Sequence, residues 1–289
     1  MSAPPPTVAE GPLALVCGGG SLPLAVADYV AATGRKVVLF ALRGAAEGTP
    51  VERHRHHWIY VGQIGKFLKL MRAEGCREMV FIGTLIRPTI WQVHPDLYGL
   101  SYVPTVLRAL RGGDNHLLST MTEALEAEGL SLLGAHDVAP QILVPEGALG
   151  RVGPSDQDRA DIALGLDYLR AAGRFDIGQA VIVAGQHIVA VEAAEGTDQM
   201  LARMAELRAN KRVRVPVGTG VLVKAPKPQQ DRRFDLPSIG PTTVEGARRA
   251  GLAGIAVVAG ETIVAEPDAL REAADRAGLF VLGVAGPAA

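Results

Sequence analysis

Short apolar runs alternate with amphipathic stretches along most of the chain. Leu13–Cys17 is apolar throughout and stops at Gly18-Gly19-Gly20; Pro23 to Ala32 then has helical character. Lys36–Phe40 is a second apolar run, Met79–Ile82 a third and Leu130–Leu133 a fourth. Between them, Lys66–Glu74 and Asp114–Glu128 read as amphipathic helices closed by Gly75 and Gly129, residues suited to the positive φ at a helix C-terminus. Continuous apolar strands alternating with helices predict a parallel α/β sheet.

The pattern breaks over Ala135–Ser155, where Pro140, Pro145 and Pro154 mix with Gly147, Gly150 and Gly153. This stretch is expected to connect two domains. The division is a tail over 1–12, a nucleotide-binding domain over 13–135, a linker over 136–155 and a second domain over 156–289. Ser155 and Asp158 form a capping-box pattern ahead of a helix over Gln157–Ala172. Ala180–Val183 and Ile188–Val191 flank Ala184-Gly185-Gln186 as a hairpin, and Ile255–Val258 with Ile263–Ala265 read as another. Thr197 or Asp198 is expected to cap a helix running to about Ala209. Gly220–Lys224 is a strand, 226–241 a long loop, and Thr242 with Glu245 caps the next helix. Pro267–Ala277 is a helix and Leu279–Val284 the last strand. Hairpins mixed with helices make the second half α+β in character.

Composition narrows the function. Lysine plus arginine number 29 and aspartate plus glutamate 30, so the net charge of -1 argues against a nucleic-acid partner. Two cysteines, Cys17 and Cys76, exclude a disulfide scaffold and a CxxC metal motif. The first twelve residues lack the basic and apolar regions of a signal peptide, and no run of 18 apolar residues occurs, so a cytoplasmic location is expected.

Four features carry candidate chemistry. Gly18-Gly19-Gly20-Ser21 joins a strand to a helix with Pro23 in its first turn, a geometry that brings main-chain N–H groups toward a phosphate. Pro23 replaces the third glycine of a dinucleotide fingerprint, and Phe40-Ala41-Leu42-Arg43 lacks the acid expected after the second strand. A nucleotide or nucleotide-sugar loop therefore fits better than a standard NAD site. Thr84 and Leu85 follow the third strand, where a base or ribose would lie, and Asp114 opens a helix as an N-cap. Second, Gly62-x-x-Gly65-Lys66 resembles part of a phosphate loop but reads as a helix start. Third, Arg53-His54-Arg55-His56-His57 has no acidic or cysteine partner at zinc-site spacing and reads as a solvated loop. Fourth, Glu192, Glu195 and Asp198 put three carboxylates beside Thr197, either for a cation or for helix capping. Downstream, nine Lys or Arg between Arg203 and Arg233 face only Glu206 and Asp231, a basic excess suited to phosphate or anionic lipid. Asp235 stands at its end.

These motifs occur together in a known family. Gly-Gly-Gly-Ser-Leu-Pro at 18–23, Gly-Lys-Phe at 65–67, Asp-Ile-Gly-Gln at 176–179, Glu-Gly-Thr-Asp at 195–198, Lys-Ala-Pro-Lys-Pro at 224–228 and Asp-Leu-Pro-Ser-Ile-Gly at 235–240 stand in the family's order. The chain resembles the LpxI-type UDP-2,3-diacylglucosamine pyrophosphatases of lipid A biosynthesis, from Leu13 to Val284. The resemblance implies a Rossmann-like N-terminal domain and a distinct C-terminal mixed α/β domain. It implies Mg²⁺-dependent hydrolysis of UDP-2,3-diacylglucosamine to UMP and 2,3-diacylglucosamine 1-phosphate (lipid X), a homodimer, and peripheral contact with the inner membrane. The family's key catalytic aspartate falls on Asp235. On this reading Asp235 holds the metal or orients water, Glu195 and Asp198 are further metal candidates, and Lys224 and Lys227 stabilise phosphoryl charge. Gly19, Gly20, Ser21, Thr84, Leu85, Asp114, Gln179 and Thr197 form the substrate-binding set. Two rivals are an NADP-dependent oxidoreductase, motivated by Gly18-x-Gly20 and Arg43, and a non-catalytic nucleotide sensor.

Overall fold

The structure, a computed structural model, describes residues 11–84, 93–109, 122–175, 177–227, 231–234, 236–264 and 266–286; for 104–109 it describes the main chain. The chain forms two compact units. The first comprises Met1–Pro140 with Asp231–Phe234, and the second Gln141–Gln230 with Asp235–Ala289. Asp231–Phe234 belongs with the first unit because Phe234 packs on Phe81, ring centroids 5.5 Å apart, and Arg233 bridges Asp231 and Glu126.

In the first unit five strands run parallel: β1 (Leu13–Cys17), β2 (Val37–Leu42), β3 (His56–Ile59), β4 (Glu78–Ile82) and β5 (Ser131–Leu132). Their order is β3-β2-β1-β4-β5. Every residue of β1 and β2 is buried. Ala14, Val16, Val38, Phe40 and Leu42 share a cluster with Phe67, Leu68 and Met71 of α2 (Ile64–Glu74). The alternate residues point to the other face, where α1 (Leu22–Ala32) lies against β1 and β2. Burial on both faces is why these strands read as continuous apolar runs. The unit also contains α3 (Leu97–Ala109), α4 (helical over 122–127) and α5 (Ala135–Val138).

The run expected as a loop at Arg53–His57 leaves a 3₁₀ turn at Arg53 and enters the edge strand β3 at His56. His54 Nε2 lies 2.7 Å from Asp28 Oδ1 on α1, and His57 Nε2 lies 2.6 Å from Glu74 Oε1 on α2. The two histidines thus meet carboxylates from α1 and α2 that a zinc spacing rule does not see. Arg55 and then His57 hold the Glu74 carboxyl below its usual range. Helix α3 has no counterpart in the sequence periodicity. Its N-terminus is tied to that of α2 by Asp96, whose carboxylate accepts N–H bonds from Gly65 (3.2 Å), Lys66 (2.8 Å) and Gly99 (2.7 Å). Gly62-x-x-Gly65-Lys66 is therefore a helix start, with its amides already answered by Asp96.

The ends of β1 and β4 are joined by main chain. Gly18 N–H donates to the Ile82 carbonyl (2.9 Å), and Gly19 and Thr84 exchange two bonds of 2.9 Å. Glycine at 18 is required by this approach, since a Cβ there would lie 2.4 Å from the Thr84 carbonyl oxygen.

The second unit has a six-stranded mixed sheet, β6 (Gly147–Ala148), β13 (Phe280–Val284), β11 (Gly254–Val258), β9 (Val221–Lys224), β7 (Ala180–Ala184) and β8 (His187–Val191), in that spatial order. β9, β11 and β13 are parallel; β7 is antiparallel to β8 and β9, and β6 to β13. Val181, Val183, Val221 and Val223 pack under α6 (Asp156–Ala172). Ala180, Ile182, Leu222, Ile255 and Val257 face α7 (Gly196–Ala209), α8 (Pro241–Arg249) and α9 (Pro267–Ala277) through Met200, Met204, Val244 and Leu270. The chain is thus α/β, with a parallel sheet followed by a mixed one.

Several local expectations hold and others change. The Ser155–Asp158 capping box forms: Ser155 Oγ accepts from Asp158 N–H, and Asp158 accepts from Ser155 N–H at 2.9 Å. The β7–β8 hairpin forms, its turn held by buried Asp161, which accepts from the Gly185 and Gln186 N–H groups. The second expected hairpin does not. β11 sits between β9 and β13, while β12 (Ile263–Val264) pairs in parallel with β10 (Ser238–Ile239). The cap of α8 is Gly240 with Thr243, because Glu245 is bound by Arg248 and Arg249 one turn on. The expected linker over 136–155 carries most of α5, a 3₁₀ turn at Pro140–Ile142 and β6.

Two stability predictions follow from these ties. Gly18→Ala forces two main-chain segments apart and is expected to cost about 2–3 kcal/mol, read as a lower urea midpoint. Asp96→Ala removes the caps of two helices and should cost about 1–2 kcal/mol near neutral pH. Burial opposes ionisation of Asp96, but the amide donations outweigh it and hold the carboxyl below its usual range. Its contribution is therefore complete above the unfolded value of about 3.9 and is lost as pH falls through the lower folded value. The gap between wild type and Asp96→Ala in denaturant titrations should close as the buffer is taken down through that window.

Candidate functional site

In each unit the polar candidates collect where buried strands end. In the first unit this is the carboxyl edge of the parallel sheet, the usual ligand side of such sheets. The close tie between β1 and β4 changes the reading of the glycine loop. The Gly18 and Gly19 amides are taken by Ile82 and Thr84, so these glycines serve the approach of two loops. Gly20 and Ser21 line a hollow of about 600 Å³ together with Leu24, Asp28, Thr49 and Arg53. Glu47, also on its wall, accepts the Gly44 N–H at 2.7 Å, and that bond holds its carboxyl below the usual range. The acid missing from the end of β2 in the sequence pattern thus occurs five residues later. A search confined to the strand's last residues passes over it.

Thr84 is exposed beside Gly19, and its main chain is engaged as described. Leu85 and Asp114 lie outside the described residues. Arg43, the residue that motivated an NADP reading, places its guanidinium 5.1 Å from the Trp58 ring centroid and 5.8 Å from that of Tyr60. It stacks on aromatic residues at the end of β3, a sufficient role for a cation at that position.

In the second unit, Gln179, Thr197 and Lys224 come to one edge of the mixed sheet. Gln179 immediately precedes β7, and its carbonyl accepts the Ala225 N–H at 3.1 Å, which sets it beside the end of β9. Lys224 is the last residue of β9; only 5% of it is exposed, and Nζ donates to the Ser238 carbonyl at 2.9 Å. That bond ties the lysine to the Asp-Leu-Pro-Ser-Ile segment. Asp235 itself lies outside the described residues, and Lys227 is half-buried three residues beyond Lys224. Thr197 lies in the first turn of α7. It is not the N-cap, a position held by Glu195, whose side chain does not cap the helix; the Thr197 hydroxyl donates to Glu192 Oε1 at 3.1 Å.

The three carboxylates of this segment separate by environment. Glu195 forms an ion pair with Arg203 (2.7 Å) and accepts the Ala193 N–H; its own main-chain N–H and then Arg203 keep its carboxyl below the usual range. Asp198 is exposed in the first turn of α7, where the helix dipole favours it. Glu192 is buried, and its two oxygens accept from Gln179 N–H and Thr197 Oγ. Glu195 and Asp198 are not joined by a third ligand: no group of three or more His, Cys, Asp or Glu able to hold a metal occurs among the described residues. The described donors alone therefore do not fit a preformed metal cage.

The basic excess between Arg203 and Arg233 is not one patch. Arg203 pairs with Glu195, and Arg233 with Asp231 and Glu126. Arg208 donates to the carbonyls of Pro216, Thr219 and Gly251, bracing the turn before β9. Lys224 is buried, whereas Lys211, Arg212, Arg214 and Arg232 are exposed. The linear count had added internal braces to surface cations.

Comparison with known proteins agrees with the motif order. Residues 12–142 match the LpxI N-terminal domain and residues 145–282 the LpxI C-terminal domain. The UDP-2,3-diacylglucosamine pyrophosphatase LpxI of Caulobacter vibrioides is 43% identical over 272 residues, which cover 94% of this chain and 97% of that protein. With both domains matched in order and nearly the full length of a relative aligned, this chain belongs to the LpxI family.

Proposed function

We propose that this protein hydrolyses the pyrophosphate of UDP-2,3-diacylglucosamine, giving UMP and 2,3-diacylglucosamine 1-phosphate in lipid A biosynthesis. The observation that carries this reading is 43% identity over nearly the whole length of a relative bearing that activity. The edge of the second unit supports it. Hydrolysis of a phosphoric anhydride builds negative charge on phosphoryl oxygens, and a cation held in place there stabilises the transition state more than a mobile one. Lys224 has this character, with its stem buried in the sheet and its ammonium fixed on the Ser238 carbonyl. Lys227 lies close in sequence for a second contact. Asp235 is assigned the orientation of the attacking water, and Gly20, Ser21 and Thr84 the nucleotide half.

Mg²⁺ belongs to the proposal as an ion that enters with the pyrophosphate. Bound there, it would neutralise phosphate charge and lower the pKa of a coordinated water. Asp235 is the carboxylate assigned to it; Glu195 is a poorer choice because Arg203 already holds it. A homodimer on the cytoplasmic face of the inner membrane completes the reading, since the substrate carries two acyl chains. Among the described residues no helix is long and apolar enough to cross a membrane, so contact with the bilayer is proposed as peripheral.

The test is incubation of the purified protein with UDP-2,3-diacylglucosamine, with Mg²⁺ or with EDTA, and identification of the phosphates released. UMP and the sugar 1-phosphate are expected with Mg²⁺ and neither with EDTA. Asp235→Ala should remove turnover while the protein still folds and binds substrate. Near-normal turnover in that variant would overturn the assignment of Asp235, and absence of both products from wild type would overturn the function.

A further inference from the structure

Of the three carboxylates weighed for a cation or for helix capping, Glu192 is the most enclosed, 7% exposed. Strand register explains where it points. Ala180 on β7 pairs with Lys224 on β9, and on its other side accepts the Glu192 N–H at 3.0 Å, one step beyond the Val181–Val191 pair. Lys224, Ala180 and Glu192 thus stand at one level across three neighbouring strands, and their side chains share a face. That face is the one covered by α7. Only the Ala180 methyl stands between a buried lysine and a buried glutamate at this level.

Burying a carboxylate is costly unless its oxygens are answered. Here Oε2 accepts from Gln179 N–H and Oε1 from Thr197 Oγ, both at 3.1 Å. The segment before β7 also lies directly on the side chain, since a Cβ on Gly178 would stand 2.5 Å from Glu192 Cγ. This close approach gives the glycine of the Asp-Ile-Gly-Gln motif a physical reason. Gln179 Oε1 is buried and accepts no hydrogen bond from the described residues. It suits an O–H or N–H donor of a bound sugar.

We propose that Glu192 is a positioning residue. Its carboxylate locks the approach to β7 and the first turn of α7 to each other, and so holds Gln179 and Thr197 in the geometry that substrate requires. The inference rests on the proposed hydrolysis for its substrate. Both oxygens are occupied by the protein's own donors, so Glu192 acts through Gln179 and Thr197 and not on the reacting atoms.

The contrast between Glu192→Ala and Glu192→Gln tests this. Glutamine keeps the volume: its carbonyl can accept from Gln179 N–H, and its NH₂ can donate to a Thr197 hydroxyl turned to accept. With UDP-2,3-diacylglucosamine and Mg²⁺, kcat/KM should fall about 30-fold or more in Glu192→Ala, as expected when binding groups shift by about an ångström. Glu192→Gln should recover most of that loss. Equal defects in the two variants would show that the charge itself is needed and overturn the positioning role, as would full activity in Glu192→Ala. If Glu192→Ala does not fold, Thr197→Val removes one of the same bonds and Thr197→Ser keeps it; equal activity in this pair overturns the proposal. If wild type does not hydrolyse the substrate, the functional reading fails separately. Amide exchange at Gln179 and the first turn of α7 then decides: faster in Glu192→Ala but not in Glu192→Gln supports the lock, and unchanged exchange in Glu192→Ala removes it.

Discussion

Strands buried on both faces impose the main constraint on this protein. β1, β2, β7, β9 and β11 have no exposed residue along their length. A polar side chain within such a strand would lie in apolar surroundings, where an unanswered polar group is costly. Polar chemistry is therefore displaced to strand ends and the loops beyond. In the first unit this gathers the glycine loop, Thr84 and Glu47; in the second it gathers Gln179, Glu192, Thr197 and Lys224. Lys224 shows the condition for an exception. It occupies the last position of β9, where its stem adds to the apolar layer and its ammonium still reaches a carbonyl.

The same constraint explains what could be read from the sequence. A strand buried on both faces leaves a continuous apolar run, so β1, β4, β7, β9 and β13 stand out from their neighbours. β3 does not, because an edge strand with His56 and His57 half-buried has neither a continuous run nor alternation. Hairpins were separable only where one strand kept an exposed side. His187 and Ile188 of β8 are exposed and mark a true edge. Ile263–Val264 is only two residues long, and β11 is interior, yet the glycine-containing turn between them resembles that of the real hairpin. Capping signals were ambiguous for an electrostatic reason. Asp158 has Ser155 behind it as its main partner, whereas Glu245 has arginines at i+3 and i+4 that draw its carboxylate away from the helix start.

Charge followed a similar rule. The chain is nearly neutral overall, and the surplus of cations between Arg203 and Arg233 looked like an anion surface. Folding gives these residues different work. Arg208 replaces water on three carbonyls, Arg203 and Arg233 find carboxylates, and Lys224 enters the sheet. Exposed ion pairs contribute little stability individually, but they remove cations from any common field. The summed charge of the segment is therefore no measure of an anion surface: Lys224 is buried with its ammonium on the Ser238 carbonyl, while Lys211, Arg212 and Arg214 stay exposed.

Glu192, Glu195 and Asp198 show why the site was only partly legible. They lie within seven residues and share a residue class, so spacing ranks none of them. Their roles are decided by strand register and helix position, which depend on partners far along the chain. Register puts Glu192 beside Ala180 and on the level of Lys224; the start of α7 leaves Asp198 in solvent; Arg203, two turns into the helix, takes Glu195. The motif order identified the family because shared chemistry keeps such residues in sequence, but it did not separate groups that meet substrate from groups that hold those groups still. In the structure the three differ by occupancy: Glu192 has its oxygens on Gln179 N–H and Thr197 Oγ, Glu195 is held by Arg203 and the Ala193 N–H, and Asp198 is exposed.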